Sequence, residues 1–361
     1  MLRLNDVCTK GSSNVAQKDL ESCNGIYPIY GASGFIKNVD FYHQEKPYIG
    51  IVKDGAGVGR VMLLPEKSSV IGTMQYIIPN EGISVEYLAY ALEHMNLSKY
   101  YLGAAIPHIY FKDYCGEPLP NHTPEQQAYI SHVLGLVCDL IALRKQQLSQ
   151  LDELVKSRFV ELFADCNYPS EPLDNNVIEM FIGPFGSSLK NEVFVDEKEG
   201  FCMVYEQKHA IQKTMNVPTR YVPKSKYEEL KRFTILGGDI IVSCRGTIGE
   251  IFIVPDNAPM GIMHPSIMKV RLNTEKYNQK FFVFALEQYM DEHNAEAKGS
   301  GVKMAVSATV LGQSDFVVPP MEVQNQFAAF VEQTDKSKFE IQTSIEKFET
   351  LKKALMQKYF G

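Results

Sequence analysis

Several chemical signatures are missing from this sequence of 361 residues. No run of eighteen apolar residues occurs, which argues against a membrane span, and the segment Met1–Asp6 lacks the basic start and apolar run of a signal peptide. The seven cysteines include no pair at C-x-x-C spacing, and the eight histidines form no H-E-x-x-H pattern. These absences argue against a disulfide scaffold and a common zinc site. We therefore expect a cytoplasmic protein with no metal site.

Catalytic motifs are missing as well. The sequence has no Walker loop, no G-x-S-x-G, no Asn-Pro-Pro-aromatic motif of the kind that amino-methyltransferases use, and no cluster of acids plus lysine typical of a metal-dependent nuclease. The run Gly55–Arg60 suggests a dinucleotide loop, but Arg60 occupies the position of the third glycine and a strand follows it. A glycine-rich hairpin that lets the backbone approach a partner fits better. We expect no catalytic residue and no bound cofactor in this chain.

The strongest positive signal is a repeated amphipathic helix. Within residues 124–163, apolar positions recur at alternating steps of four and three residues, the period of a coiled-coil seam. A shift of 197 residues aligns a second series near the C-terminus, and Gln127 with Gln324 and Phe163 with Phe360 are identical pairs at that shift. Each helix should be about 35 residues, roughly 50 Å, long. The residues predicted to pack along the seams are Ile130, Leu134, Val137, Ile141, Leu148, Leu151 and Val155 in the first helix, and Phe327, Val331, Ile341, Ile345, Phe348 and Leu355 in the second.

The segments before the two helices also match in order. Residues 51–59 align with 241–249 at a shift of 190, and residues 91–93 align with 285–287 at a shift of 194. Both halves predict short strands, a hairpin and a helix, which indicates an α+β fold with two α/β domains in tandem. The predicted elements are a strand and turn at 27–34, strands at 48–52, 60–64, 239–243 and 250–254, and helices at 86–97 and 277–290.

At this point the sequence resembles the specificity subunit of type I restriction-modification enzymes, over nearly the whole chain. The resemblance rests on the two helices with the segments that lead into them, Pro124–Phe159 and Val318–Phe360, and on the two hairpin blocks. The family's Pro-Pro-Leu-x-Glu-Gln motif reads Pro-Pro-Met-Glu-Val-Gln at 319–324, and in the first copy Asn121-His122-Thr123 separates Pro120 from Pro124. Both departures lie in connecting turns.

The resemblance implies a division of labour. Residues 1–120 and 167–319 would be target recognition domains, each reading one half of a bipartite double-stranded DNA site. Residues 121–166 and 320–361 would be spacer helices that pack antiparallel and set the gap between the half-sites. Methyltransferase subunits, two of them, would supply S-adenosylmethionine-dependent adenine methylation. Restriction subunits would use ATP and Mg for translocation and cleavage. This chain would determine which DNA sequence the complex recognises and would not itself catalyse a reaction.

The charge distribution predicts dependence on partners. The chain carries a net charge of −7, of which residues 124–163 contribute −1 and residues 321–361 contribute zero, so the remaining segments carry −6. Because non-specific DNA affinity comes mainly from neutralised phosphates, we expect this chain alone to bind DNA weakly.

Direct readout of a base requires Arg, Lys, Asn, Gln or hydroxyl side chains on loops that reach base edges. His264 also lies in a loop, where it could contact a base or a phosphate. For each such residue a solvated surface role is the alternative. The DNA-binding candidates are Lys53, Arg60, His108, Tyr110 and Lys112 in the first domain, and Ser187, Ser188, Lys190, Arg245, Lys298, Ser300 and Lys303 in the second.

Two other functions remain open from the residues. The first is a non-enzymatic coiled-coil scaffold or adaptor, in which the helices mediate dimerisation and the repeated domains bind protein. The second is a fused enzyme with its own methyltransferase. The missing Asn-Pro-Pro-aromatic motif and the short length count against it.

Overall fold

The computed structural model describes residues 2–101, 107–164, 167–300 and 307–361, and for residues 293–300 it describes the backbone only. The chain forms two compact units. Unit 1 comprises Met1–Ser149 together with Phe339–Gly361, and unit 2 comprises Gln150–Lys338. Unit 2 is one continuous segment and unit 1 combines two, so each unit contains the beginning of one long helix and the end of the other.

The two long helices, α4 (Pro124–Phe163) and α9 (Met321–Phe360), contain 40 residues each, somewhat more than predicted. Both ends of α9 lie 197 residues after those of α4, as the repeat requires. Within unit 1, Ile130 clusters with Met356, and the Lys145 ammonium lies 3.3 Å from the Glu349 carboxylate, so the two segments run antiparallel. In unit 2 the Lys338 ammonium lies 2.5 Å from the Asp152 carboxylate.

The seam positions are buried or half-buried along both helices. Polar residues that interrupt the seam have partners: Thr334 donates its hydroxyl to the Phe330 carbonyl at 2.9 Å, and the Lys352 ammonium lies 2.7 Å from the Glu93 carboxylate. By length and composition alone, α4 could cross a membrane, but the core helix of a soluble protein meets the same criterion. In both units α4 packs against protein along its seam.

The described residues of unit 1 form nine strands in three sheets. A four-stranded sheet has the order β2-β8-β5-β6, a three-stranded sheet the order β4-β3-β7, and β1 pairs with β9. Besides the long helices, its helices are α1 (Leu4–Val7), α2 (Val85–His94) and α3 (Phe111–Tyr114). The strands are β1 (Leu2–Arg3), β2 (Cys8–Ser12), β3 (Tyr27–Gly31), β4 (Gly34–Val39), β5 (Tyr48–Val52), β6 (Val61–Leu64), β7 (Ser69–Val70), β8 (Met74–Pro79) and β9 (Pro118–Leu119).

Unit 2 repeats the first four-stranded sheet, while its second sheet has four strands instead of three. Its sheets have the orders β11-β18-β15-β16 and β13-β12-β17-β14, and β10 pairs with β19. Its other helices are α5 (Gln207–Gln212), α6 (Lys224–Glu229), α7 (Gln279–Ser300) and α8 (Ala308–Gln313). The strands are β10 (Ser170–Pro172), β11 (Val177–Ile182), β12 (Cys202–Tyr205), β13 (Tyr221–Val222), β14 (Thr234–Ile235), β15 (Ile240–Ser243), β16 (Ile251–Ile253), β17 (Gly261–Met263), β18 (Ile267–Leu272) and β19 (Asp315–Val317).

The structure confirms the predicted hairpins and mixed fold, since β5–β6 and β15–β16 are antiparallel pairs. Both predicted helices exist, although α7 extends ten residues beyond the predicted end. The described part of each unit also includes a parallel pair, β3 with β7 and β12 with β17, which the sequence did not predict.

Strands β5 and β15 are almost entirely apolar because both of their faces are buried. In β5, Ile49 and Ile51 pack against α2, while Tyr48 and Val52 belong to a separate cluster on the opposite face. In β15, residues 240 and 242 likewise pack toward α7, while Ile241 faces the second sheet. Each unit therefore has one core against its helix and a second core between its sheets.

Candidate nucleic-acid interface

In unit 1, several loops meet where β3, β5 and β7 end, together with residues 107–110. The Lys53 N–H donates to the Thr73 carbonyl at 3.0 Å, and the Ile109 N–H donates to the Lys53 carbonyl at 3.0 Å. The Arg60 guanidinium donates to the Ala32 carbonyl at 2.8 Å. We call this region, residues 32–33, 53–60, 71–73 and 107–110, strand-end surface 1.

Asp54 contacts two of the predicted DNA-binding residues of strand-end surface 1. Its carboxylate contacts the His108 Nδ1 and lies 4.0 Å from the Lys53 ammonium. The His108 ring is tilted by 57° to the ring of Tyr110, with 4.1 Å between the ring centres. Tyr110 is 49% exposed, and the Lys112 ammonium lies 5.2 Å from the centre of its ring. Four of the five candidates are therefore linked by a chain of contacts, and two of them contact Asp54, an acid that was not predicted to take part.

The glycine-rich turn between β5 and β6 has an internal role at one position. Gly59 has a φ of +85°, and a Cβ there would lie 2.5 Å from the Ser98 backbone nitrogen. The close approach predicted for a partner is therefore made to the unit's own chain at Gly59. The turn leads into strand β6, as predicted, and not into a helix.

In unit 2, the equivalent loops meet where β11, β12, β15 and β17 end. The Cys244 N–H donates to the Ser266 carbonyl at 2.8 Å, and the His264 N–H donates to the Tyr205 carbonyl at 2.8 Å. A Cβ on Gly183 would lie 2.3 Å from the His264 carbonyl oxygen, so the loop after β11 packs directly on this segment. We call this region, residues 183–191, 206–208, 219–220, 244–249 and 264–266, strand-end surface 2.

Glu206 is the centre of strand-end surface 2. It is only 8% exposed, its carboxylate contacts the Arg220 guanidinium, and its second oxygen lies 2.6 Å from the Lys208 ammonium. The Arg220 guanidinium carbon lies 3.9 Å from the centre of the Phe194 ring. Burial alone would raise the pKa of Glu206, but the hydrogen bonds and charges of Lys208 and Arg220 outweigh it and lower that pKa.

Two histidines lie beside this cluster. The His264 Nδ1 lies 2.8 Å from the Ser266 hydroxyl, and the His209 Nδ1 lies 3.1 Å from the Glu206 backbone nitrogen. Burial lowers the pKa of both rings. The Glu206 carboxylate raises the pKa of His264, whereas Arg220, Arg245 and Lys208 lower it, so one acid and three cations lie near this ring.

The remaining candidates of the second domain fall into two groups. Ser187, Ser188 and Lys190 lie in the loop after β11, next to Asn191, whose side-chain oxygen is 3.5 Å from the Arg220 guanidinium. Arg245 is exposed in the turn between β15 and β16. The side chains of Lys298 and Ser300, and the whole of Lys303, lie outside the described residues.

Sequence reasoning missed Asp54, Glu206, Lys208 and Arg220. Glu206 directly follows the apolar run Cys202–Tyr205, and that run is the signal that could have placed it at a strand end. Nothing local marks Arg220, which is 14 residues away along the chain. Among the described residues no group of three or more His, Cys, Asp or Glu side chains could hold a metal ion, and the six described cysteines are unpaired.

The paired units and their loop surfaces are typical of a known family. The family profile of the type I restriction modification DNA specificity domain matches residues 1–153 and 198–349. The chain belongs to this family. It is a DNA specificity subunit with two copies of the domain, and members of the family act with DNA in type I restriction-modification complexes. This match does not favour the scaffold alternative.

Solved structures show the same fold over the full length of the specificity subunit. The type I restriction-modification system S subunit from M. genitalium has a TM-score of 0.57 and 15% identity, covering 100% of this chain and 95% of that one. A structure from work on complex assembly and conformational transition of the type I R-M system has a TM-score of 0.61 and 14% identity, covering 99% and 96%. A comparison with curated protein sequences found no match.

Proposed function

We propose that this specificity subunit recognises a bipartite double-stranded DNA site, with unit 1 reading one half-site and unit 2 the other. The observation that carries the proposal is that the order of the first four-stranded sheet occurs in both units, with different side chains on the two strand-end surfaces. Strand-end surface 1 presents His108 and Tyr110 beside Asp54, whereas strand-end surface 2 presents Arg220 and Arg245 beside Glu206. Different donors and acceptors in equivalent places predict two different half-sites.

We further propose that the chain acts without catalysis. It would direct two methyltransferase subunits, which use S-adenosylmethionine, and restriction subunits, which use ATP and Mg, to the DNA sequence that it reads. A role with partner subunits fits the negative charge of the segments outside the helices, because subunits that surround the duplex would supply the contacts to phosphate. The complex would be cytoplasmic. No cofactor is proposed for this chain.

The test is co-expression of the chain with the methyltransferase subunit from the same genome, followed by sequencing of methylated adenines. We expect one bipartite motif, methylated only when both proteins are present, and recovery of both proteins together in a pull-down. The methyltransferase subunit expressed alone is the control. The proposal would be contradicted if the two proteins are recovered together but the cells contain no methylated bipartite motif. A pull-down that recovers partners of this chain other than a methyltransferase would favour the scaffold.

A further inference from the structure

The side chain of Arg220 has more contacts than those of Lys190 and Arg245, the exposed cations of strand-end surface 2. The central carbon of its guanidinium lies 3.9 Å from the centre of the Phe194 ring, and one of its nitrogens contacts the Glu206 carboxylate. By contrast, Lys190 and Arg245 are exposed, and their side chains make no hydrogen bond or ion pair with the described residues. Contact with both an acid and a ring restricts the rotamers of a long side chain, so Arg220 is pre-oriented.

The acid that holds Arg220 is itself fixed. The Glu206 side chain is 10% exposed, and its second oxygen lies 2.6 Å from the Lys208 ammonium. The Glu206 N–H lies 3.1 Å from the His209 Nδ1 at the start of α5, which anchors the backbone of this residue. A buried carboxylate between two cations stays charged, because protonation would leave both cations without a partner. Glu206 therefore holds the guanidinium in place at neutral pH.

Some N–H groups of the Arg220 guanidinium have no acceptor among the described residues. A guanidinium carries five N–H groups. Among the described residues only Glu206 and Asn191 accept from them, and the Asn191 contact is long at 3.5 Å. The side chain is 34% exposed, on the surface formed by the loops that carry the predicted DNA-binding residues of unit 2. A planar fork with a fixed direction and free N–H groups is the arrangement that binds two acceptors at once.

We propose that Arg220 reads a guanine, through the O6 and N7 atoms that this base presents in the major groove, within the half-site bound by unit 2. Glu206 and Phe194 are positioning residues for it. Bidentate contact with O6 and N7 is the commonest specific contact that arginine makes with a base. A phosphate contact needs only a positive charge, which Lys190 and Arg245 can supply without any fixed direction. This inference rests on the proposed function, because it assumes that unit 2 reads one half-site.

The experiment uses the complex of this chain with its methyltransferase subunits and duplexes that carry the wild-type motif. Each position of the second half-site is varied in turn, and guanine is also replaced by 7-deazaguanine, which lacks the N7 acceptor. We expect Arg220→Ala and Arg220→Lys to lose about 5- to 150-fold of the preference for guanine at one position, the range for one bidentate pair. 7-deazaguanine at that position should weaken wild-type binding and leave Arg220→Ala unchanged. Glu206→Gln should show a smaller loss at the same position.

Lys336→Ala is the matched control, since it removes one positive charge from an exposed ammonium, 74% accessible, on α9 in the same unit. It should keep the full guanine preference. Equal weakening on all sequences in Arg220→Ala would identify a phosphate contact and overturn the proposal. Full guanine preference in folded Arg220→Lys would also overturn it. If neither Arg220 variant has the wild-type melting temperature, the arginine is a structural cation and the proposal fails.

The two proposals fail in different ways. If the wild-type complex shows no bipartite preference, the proposed function is wrong. If the wild-type complex reads two half-sites and Arg220→Ala changes neither of them, only the role of Arg220 is wrong. The half-site read by unit 1 serves as an internal standard, because every Arg220 and Glu206 variant should leave it unchanged.

Discussion

The side-chain oxygen of Gln324 accepts a hydrogen bond at 2.8 Å from the backbone N–H of Asn278, the residue that caps helix α7. In unit 1, Gln127 accepts the equivalent bond at 3.0 Å from Ser84, which caps α2. Both amide groups also donate to a carbonyl five residues earlier, on His122 or Pro319. The identity of the two glutamines in the repeat thus has a physical reason: each ties the start of a long helix to the helix of its domain.

Replacing Gln324 should destabilise unit 2. The residue is fully buried, so Gln324→Ala leaves the Asn278 N–H and the Pro319 carbonyl without their partner. An unsatisfied buried group costs about 1–3 kcal/mol. We expect a loss of this size in urea unfolding followed by circular dichroism. Gln326→Ala, at an exposed position two residues further along the same helix, should change stability by less than about 0.5 kcal/mol. Equal losses in the two variants would contradict the capping role.

Phe327 should be among the most sensitive positions of the seam. It is 0% exposed, and its ring lies 5.5 Å from that of Phe159 and 5.7 Å from that of Phe163. Phe327→Ala should cost about 3–5 kcal/mol, because truncation leaves a cavity among packed rings. Phe339→Ala removes a ring that is 75% exposed on the same helix and should be nearly neutral. The measurement is the midpoint of thermal unfolding. A small effect of Phe327→Ala would contradict this expectation, because it would mean that the neighbouring side chains move to fill the cavity.

Stability should fall on mild acidification, partly because of His209. Its ring is 0% exposed, and burial lowers its pKa below the ordinary value of 6.5. The unfolded chain therefore binds a proton at a pH where the folded chain does not. The free energy of unfolding should be constant above about pH 7 and should decrease as the pH falls below 6.5. His209→Gln should flatten this decrease, while His132→Gln, at an exposed position on α4, should preserve it. An unchanged slope in His209→Gln would refute the assignment.

The pair of Asp54 and His108 should affect one half-site only. The carboxylate fixes the imidazole through Nδ1, so the opposite ring nitrogen has a defined orientation. Asp54→Asn and His108→Ala should each weaken sequence preference in the half-site read by unit 1 by about tenfold, while the other half-site stays unchanged. The double variant should be no worse than the more severe single one, because the two residues act as one contact. Sequencing of methylated adenines after co-expression measures this. An effect on both half-sites would contradict it.

Much of the fold could be predicted because its signals are local and periodic. The seam positions of α4 and α9 recur every three or four residues, and the strands of both hairpins are apolar runs on either side of a turn. The parallel strand pairs could not be predicted in this way. Strand β3 pairs with β7 and β12 pairs with β17 across long connections, and β7 is only two residues long.

The residues of the candidate site could also be predicted only in part. Chemistry and loop position were sufficient to select Lys53, His108 and Arg245 from the sequence as DNA-binding candidates. The acids that orient side chains on the two surfaces were missed. Asp54 contacts a histidine 54 residues away, and Glu206 contacts an arginine 14 residues away.

The sequence by itself determined that the chain is a repeat, that each copy ends in a long amphipathic helix, and that no familiar catalytic motif is present. Tertiary structure decided which acid faces which cation and which helix end joins which domain. Periodicity along a chain reports only whether a side chain faces a core or solvent. A contact such as that between Glu206 and Arg220 exists only because β12 and the segment before β13 pack side by side and bring distant residues to the same end of a sheet.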